Sequence, residues 1–268
     1  MKHSSSIVLA AALVAGAALP LAAAPEADAA AGRALAKRYA DAVVGVELVV
    51  TLKMKMGDRE LPAREQRIEI NGTVISATGL TVTTLAAVDP QVQFDAMRNS
   101  QQGGGRAPEL VGTDFKEVKL RLADGKEVPA RFVLKDADLD LAFMAPETVE
   151  PGREYAHVDL TKPAEGVVLG NYFFVSRAPK TLQRVPTVRA TEVIGIVEKP
   201  RRFFMLTEQS IATPVFDPQG RVLGISLQHF ANGRPTWMVV LPAADIAEMA
   251  RQAATTQAKT SAAASGGN

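Results

Sequence analysis

The feature that most constrains the fold is a succession of short β-rich segments separated by turn residues. Segments dense in Val, Ile, Thr and aromatic residues are typical of strands, and the Gly, Pro and Asp residues between them are typical of turns. Tight turns are predicted at Gly57-Asp58, Asp124-Gly125 and Asp217-Pro218-Gln219-Gly220. Because no strand–helix alternation is present, the pattern predicts a closed or nearly closed antiparallel β architecture. The predicted strands cover residues 43–52, 67–75, 81–84, 118–122, 128–134, 139–144, 167–176, 187–198, 203–207, 214–217, 222–227 and 236–241.

The segments outside these strands are predicted to be two helices, a loop and a tail. Residues 30–41 and 243–253 are rich in helix formers, and the second carries apolar residues at helical spacing. Residues 91–111 contain three consecutive glycines and little periodicity, which predicts a mobile surface loop. Residues 254–268 are small, polar and of low complexity, which predicts a disordered tail.

The N-terminus has the pattern of a secretory signal peptide. Lys2 precedes an apolar, Ala-rich stretch, Ile7 to Ala18, that is too short to span a bilayer comfortably. Small residues predict cleavage after Ala24 or Ala29, and we assign residues 1–29 to the signal. The sequence contains no later apolar run long enough for a membrane span. We therefore expect an exported protein, periplasmic or secreted.

Composition excludes several classes of site. With 30 basic against 29 acidic residues, the formal net charge of +1 provides no overall field for nucleic acid. The chain has no cysteine, which excludes disulfides, thiol catalysis and cysteine-based zinc sites. The spacing Asp136-x-Asp138-x-Asp140 is similar to a calcium loop, but Leu141 stands where that loop requires glycine. We expect no metal site and no cofactor.

Five motifs in order resemble the protease domain of trypsin-like serine peptidases, especially the periplasmic Deg/HtrA group, across roughly residues 31–252. None of the five motifs is specific on its own, but their order along the chain is specific. The resemblance implies two six-stranded antiparallel β-barrels with the active site in the cleft between them, and thus an all-β fold with short N- and C-terminal helices. The motifs are Gly72–Thr84 (GTVISATGLTVTT), Leu122–Ala130 (LADGKEVPA), Leu139–Met144 (LDLAFM), Pro214–Ile225 (PVFDPQGRVLGI) and Val239–Ile246 (VVLPAADI).

Carried over to this chain, the resemblance implies a degenerate catalytic triad. The position of the general base falls on Ala86, that of the nucleophile on Ile211, and only Asp140 retains its residue type. An alanine methyl group cannot accept a proton and an isoleucine has no attacking atom. The glycines that follow the nucleophile in the family are Ala212 and Thr213 here, which puts the family's oxyanion-binding backbone in doubt.

Ser210 is an alternative nucleophile, one position before the family's. It would need a base, and the candidates are His157, His229, Lys180 or Lys199, although no spacing selects one of them.

Three functions follow from these residues. We expect a trypsin-like protein without enzymatic activity that binds a protein or peptide ligand in the inter-barrel cleft. The alternatives are a divergent serine hydrolase that uses Ser210 and a structural envelope protein. The Deg group commonly carries a partner-binding PDZ domain, but we expect none here because no PDZ-like pattern fits after the helix ending near Ala253. The sequence leaves the oligomeric state open.

Overall fold

The computed structural model describes residues 23–100, 108–148, 150, 152–231 and 233–265 of the chain. In that part of the chain, thirteen strands form two antiparallel sheets, each closed into a barrel. The first barrel contains β1 Val43–Met56, β2 Arg59–Glu60, β3 Arg64–Val74, β4 Thr81–Thr84, β5 Glu109–Arg121, β6 Glu127–Asp136 and β7 Leu141–Pro146. The second contains β8 Asn171–Arg177, β9 Pro186–Val197, β10 Phe203–Leu206, β11 Pro214–Phe216, β12 Val222–Ala231 and β13 Arg234–Pro242.

The first barrel closes through its long first strand. The strand order is β2-β1-β3-β4-β7-β6-β5, and β1 also pairs with β5, so six strands form the barrel and β2 extends one edge. Alternate residues of β1 are buried inside it because side chains alternate between the faces of a strand. These buried residues are Val44, Val46, Leu48, Val50 and Leu52.

The second barrel has the order β10-β13-β12-β11-β8-β9 and is closed as well. The strands β12 and β13 of this barrel approach closely at Gly224. A Cβ atom at this position in β12 would lie 1.9 Å from the carbonyl oxygen of Leu241 in β13. The predicted fold class, two six-stranded antiparallel barrels with N- and C-terminal helices, is confirmed. The predicted turns at Gly57-Asp58, Asp124-Gly125 and Asp217–Gly220 lie between the expected strands.

Both terminal helices are longer than predicted. The first, α1, runs from Ala23 to Tyr39 and so includes the last residues of the predicted signal peptide; residues 1–22 lie outside the described part. The last, α4, runs from Ala243 to Ser265, which corrects the prediction that residues 254–265 are disordered. This segment is rich in Ala, which favours helix, and Ala253, the residue before it, is fully buried.

The predicted mobile loop at residues 91–111 is also wrong in its first half. Thr84 is followed by a single-turn helix, α2 Leu85–Val88, and then by α3 Pro90–Ser100. A proline suits the first turn of a helix because its missing N–H needs no partner there. The three glycines lie outside the described residues.

The two barrels are joined by an apolar core and by a buried arginine. One continuous cluster includes Leu80, Val82 and Phe143 of the first barrel with Phe173 and Phe216 of the second. This contact fixes the cleft between the barrels.

Arg184 lies in the connection between β8 and β9, and its guanidinium is bound by side chains of β3. Its Nη1 is 3.2 Å from Glu69 Oε1, and its Nη2 is 2.9 Å from Asn71 Oδ1. Arg184 is 8% exposed, so these polar contacts across the barrels are largely shielded from water. No helix in the described ranges is long and apolar enough to cross a membrane.

Candidate functional site

Asp140 lies at the centre of the cleft, in the turn that leads from β6 into β7. Its backbone is in the left-handed region, with φ of 55°, and its carbonyl oxygen accepts a hydrogen bond of 3.0 Å from the amide of Leu85. The turn is stabilised by Asp136, whose Oδ1 accepts the amide of Leu139 at 2.8 Å. Only 4% of Asp140 is exposed. The left-handed backbone therefore gives the buried carboxylate of Asp140 an orientation that a residue in a regular strand would not have.

Three donors surround this carboxylate, and they come from both barrels. The hydroxyl of Thr84 and the amide of Ala86, at 2.6 Å, belong to the first barrel, while the amide of Gln228, at 3.1 Å, belongs to the second. Burial raises the pKa of Asp140 from 3.8 to about 6, and the three hydrogen bonds oppose this rise without cancelling it. Asp140 is thus a polar junction between the barrels.

The structure brings Ala86 and Asp140 together, as their motif positions predict. The contact consists only of the Ala86 amide, because its side chain is a methyl group that can neither accept a proton nor donate one to Asp140. Ala86 is the second residue of the single-turn helix α2 and is partly exposed.

The loop at the predicted nucleophile position is fixed to β12. The amide of Ala212 donates to the carbonyl oxygen of Ser226 at 2.9 Å, and the amide of Thr213 donates to its hydroxyl at 3.2 Å. Ala212 is fully buried, with φ of 53°, and its carbonyl oxygen accepts the hydroxyl of Thr73. Ile211 is partly exposed and supplies no polar side-chain atom to the cleft.

The hydroxyl of Ser210 is committed to another hydroxyl. Its Oγ lies 2.8 Å from Thr213 Oγ1, which is also 2.8 Å from the carbonyl oxygen of Ile211. Ser210 is partly exposed and lines a narrow crevice with Ser226 and Val239.

None of the four candidate bases forms a hydrogen bond with Ser210 in the part of the chain that the structure describes. His157 is exposed, with Nδ1 2.9 Å from the carbonyl oxygen of Tyr155. Lys180 lies in the connection from β8 to β9, and Lys199 lies in the turn from β9 to β10. His229 lies on β12 and lines a different space from Ser210.

The space lined by His229 is a cavity of about 350 Å³ between the barrels, and α3 covers it. Its walls are mostly apolar and also carry Asp140 and His229. His229 Nδ1 lies 2.8 Å from Thr236 Oγ1, and that hydroxyl also lies 3.1 Å from the carbonyl oxygen of His229. The cavity is lined by Leu85, Val92, Asp95, Ala96, Ala137, Asp138, Leu139, Asp140, Phe203, Leu227, Gln228, His229, Phe230 and Gly233.

Two properties of this cavity bear on its chemistry. Among the described residues, its lining includes a histidine but no serine, threonine, cysteine or lysine side chain. The described residues hold no group of three metal-ligating side chains. The cavity could not be predicted from the sequence, because α3, which covers it, lies in a segment that was predicted to be a loop.

The comparisons with known proteins agree with this topology. A family model described as a trypsin-like peptidase domain matches residues 70–225, more than half of the chain. The curated proteins include no match to the chain. Among solved structures, the apo form of the MamO protease domain from Magnetospirillum magneticum is similar, with 18% identity over 79% of this chain and 97% of that one and a TM-score of 0.48.

Proposed function

The chain belongs to the family of trypsin-like peptidase domains, and from this premise we propose that it is an exported, catalytically inactive member that binds a protein or peptide ligand in the inter-barrel cleft. Inactivity requires that no pair of base and nucleophile can assemble there. Binding requires a space between the barrels that a side chain can enter.

The observation that carries this proposal is the separation of the remaining catalytic groups. No histidine among the described residues forms a hydrogen bond with Asp140, so its carboxylate orients no base. The hydroxyl of Ser210 pairs with that of Thr213, and His229 lines a different cavity. Nucleophilic catalysis by serine needs the base within hydrogen-bond distance of the hydroxyl. These residues do not meet that condition.

The lining of the cavity supports a ligand that combines an apolar segment with a basic side chain. Phe203, Leu227 and Phe230 provide apolar walls, and neither lysine nor arginine is among the described residues that line the space. Asp138 stands at its edge, exposed and without a hydrogen-bond partner among the described residues. A cation that entered beside this carboxylate would gain an ion pair without displacing an existing one. A peptide with a lysine or arginine next to an aliphatic residue fits this chemistry.

The proposed location rests on the N-terminal sequence alone. Lys2, the apolar stretch from Ile7 to Ala18 and the small residues around Ala24 have the order of a cleaved export signal. The absence of cysteine is compatible with both the periplasm and secretion, because the fold does not depend on a disulfide.

Hydrolysis and binding are measured separately to test the proposal. The purified protein is incubated with casein and with an ester substrate, alongside the Ser210→Ala variant; we expect the two proteins to be indistinguishable. Activity above background that Ser210→Ala abolishes would contradict inactivity.

Binding is measured by selecting displayed peptides on the immobilised protein and titrating the selected sequences. Asp138→Asn is expected to weaken the binding of basic peptides by about tenfold, the effect of losing one charge-assisted contact. The matched control, Glu117→Gln, removes an exposed carboxylate on the outer surface of the first barrel. Equal losses for the two variants would exclude the cavity as the binding site.

A further inference from the structure

The second barrel exposes three consecutive aliphatic side chains at one end. Val167, Val168 and Leu169, which we call the apolar tip, are 57%, 49% and 73% exposed. Ile194, on the neighbouring strand β9, adds another exposed aliphatic side chain at 45%. Single exposed apolar residues are common on protein surfaces, but a contiguous run is costly in water and marks a surface that another phase or molecule covers.

The apolar tip is held rigidly. The amide of Leu169 donates to the carbonyl oxygen of Val193 at 2.8 Å, and the amide of Gly170 donates to that of Val167 at 2.9 Å. The hydroxyl of Tyr172 accepts the amide of Val167 at 3.0 Å. Leu169 has φ of 63°, a left-handed conformation that a leucine adopts only when its surroundings impose it. The fold therefore presents these side chains to the outside in one fixed arrangement.

A cluster of positive charge lies next to the apolar tip. The turn Lys199–Arg202, which we call the basic turn, joins β9 to β10, and Arg202 lies 5.4 Å above the ring of Phe204. Gly166, which precedes the apolar tip, packs on the same ring so closely that a Cβ atom there would lie 2.0 Å from it. Lys199 and Arg201 are exposed and have no acidic partner among the described residues, whereas Arg202 lies 3.6 Å from Glu198.

The chain enters helix α1 from the same end of the barrel. Asp28, near the start of α1, lies 3.4 Å from the side-chain amide of Asn171, two residues after the apolar tip. Apolar side chains, basic side chains and the entry of the chain thus lie at one end of the molecule.

We propose that this end is a membrane-binding surface, in which the apolar tip inserts into the interfacial region of a bilayer and the basic turn contacts anionic headgroups. Peripheral binding of this kind needs two contributions, buried apolar area and electrostatic attraction, and the surface supplies both. Glu165 and Glu192 are also exposed near the apolar tip, so the apolar contribution provides most of the affinity and the basic turn provides the preference for anionic lipid. The inference is independent of whether the cleft binds a ligand.

The test uses the purified protein with vesicles of phosphatidylcholine, with and without phosphatidylglycerol. Leu169→Ser is expected to lower the partition coefficient about tenfold, the effect of withdrawing one aliphatic side chain from the bilayer. The matched control is Leu182→Ser, because Leu182 is 62% exposed and follows the opposite end of β8. Replacing Lys199 and Arg201 by glutamine is expected to weaken binding about tenfold on anionic vesicles and little on neutral ones.

A second readout locates the contact directly. Because the chain has no cysteine, Val168→Cys provides a single attachment point for an environment-sensitive fluorophore. We expect its emission to shift to the blue when vesicles are added, and the same fluorophore at Leu182→Cys to remain unchanged. Equal partitioning of Leu169→Ser and the unmodified protein would overturn the proposal, as would binding only to membranes that contain other proteins, since that result indicates a protein partner.

Discussion

Replacing Asp140 by asparagine removes the buried carboxylate that joins the two barrels. In the native protein two opposing effects act on the pKa of this carboxylate. Burial disfavours its charged form, and three hydrogen-bond donors favour it. Burial prevails, so the pKa of Asp140 rises from 3.8 to about 6. Folding therefore favours the protonated form of this side chain.

The pH dependence follows from the direction of that change. The folded protein binds the proton more tightly than the unfolded chain, so the contribution of Asp140 to stability is fully present below pH 3.8 and is lost as the pH rises through about 6. Each step of one in pKa corresponds to about 1.4 kcal/mol, so the whole loss is about 3 kcal/mol. Asparagine does not titrate and shows no such loss.

Urea unfolding of both proteins between pH 4 and pH 7 measures this effect. The difference in unfolding free energy between the native protein and Asp140→Asn is expected to shift by about 2.4 kcal/mol in favour of the variant between pH 4 and pH 7. Taking the difference cancels the titration of groups that the two proteins share. A difference that is constant with pH, or that shifts in favour of the native protein, would show that the three hydrogen bonds cancel or outweigh burial.

Three further substitutions test the packing, each by urea or thermal unfolding. Tyr39→Phe keeps the ring stacked on the second barrel but loses the hydrogen bond of 3.0 Å to the carbonyl oxygen of Gly220, and is expected to destabilise by about 1 kcal/mol. Gly224→Ala places a methyl group against the carbonyl oxygen of Leu241 and is expected to prevent the second barrel from closing, with loss of the cooperative transition. Arg184→Ala leaves two polar side chains of β3 without their partner and is expected to cost about 2–4 kcal/mol; a cost below 0.5 kcal/mol would show that this contact is not structural.

The strands could be predicted from the sequence because each is decided by local residue types. β4, Thr81–Thr84, is β-branched throughout and was predicted with its exact bounds, and the turn at Gly57-Asp58 lies between β1 and β2. The pairing of Ala86 with Asp140 also followed from order along the chain, since the motifs that contain them have fixed places in the family's barrels.

The helix α3 and the extension of α4 beyond Ala253 could not be predicted, because tertiary contacts help to decide them. The segment of α3 shows little helical periodicity, and its Val92 and Phe94 are partly buried against the first barrel. The C-terminal segment has the composition of a disordered tail, but Ala253 and Gln257 are buried in the folded protein. Nor could the sequence show that His229 and Ser210 line different spaces, since they lie only nineteen residues apart and spacing does not say which wall of a barrel a side chain faces.

We propose that the cleft of this trypsin-like fold contains no reactive serine. Its most direct test is the mass of the intact protein after incubation with a fluorophosphonate, which modifies serine hydroxyls that a neighbouring base has activated. A trypsin-like protease of known activity serves as the positive control. We expect no added mass under conditions that modify the control completely. An adduct on the folded protein that disappears in Ser210→Ala would contradict the account.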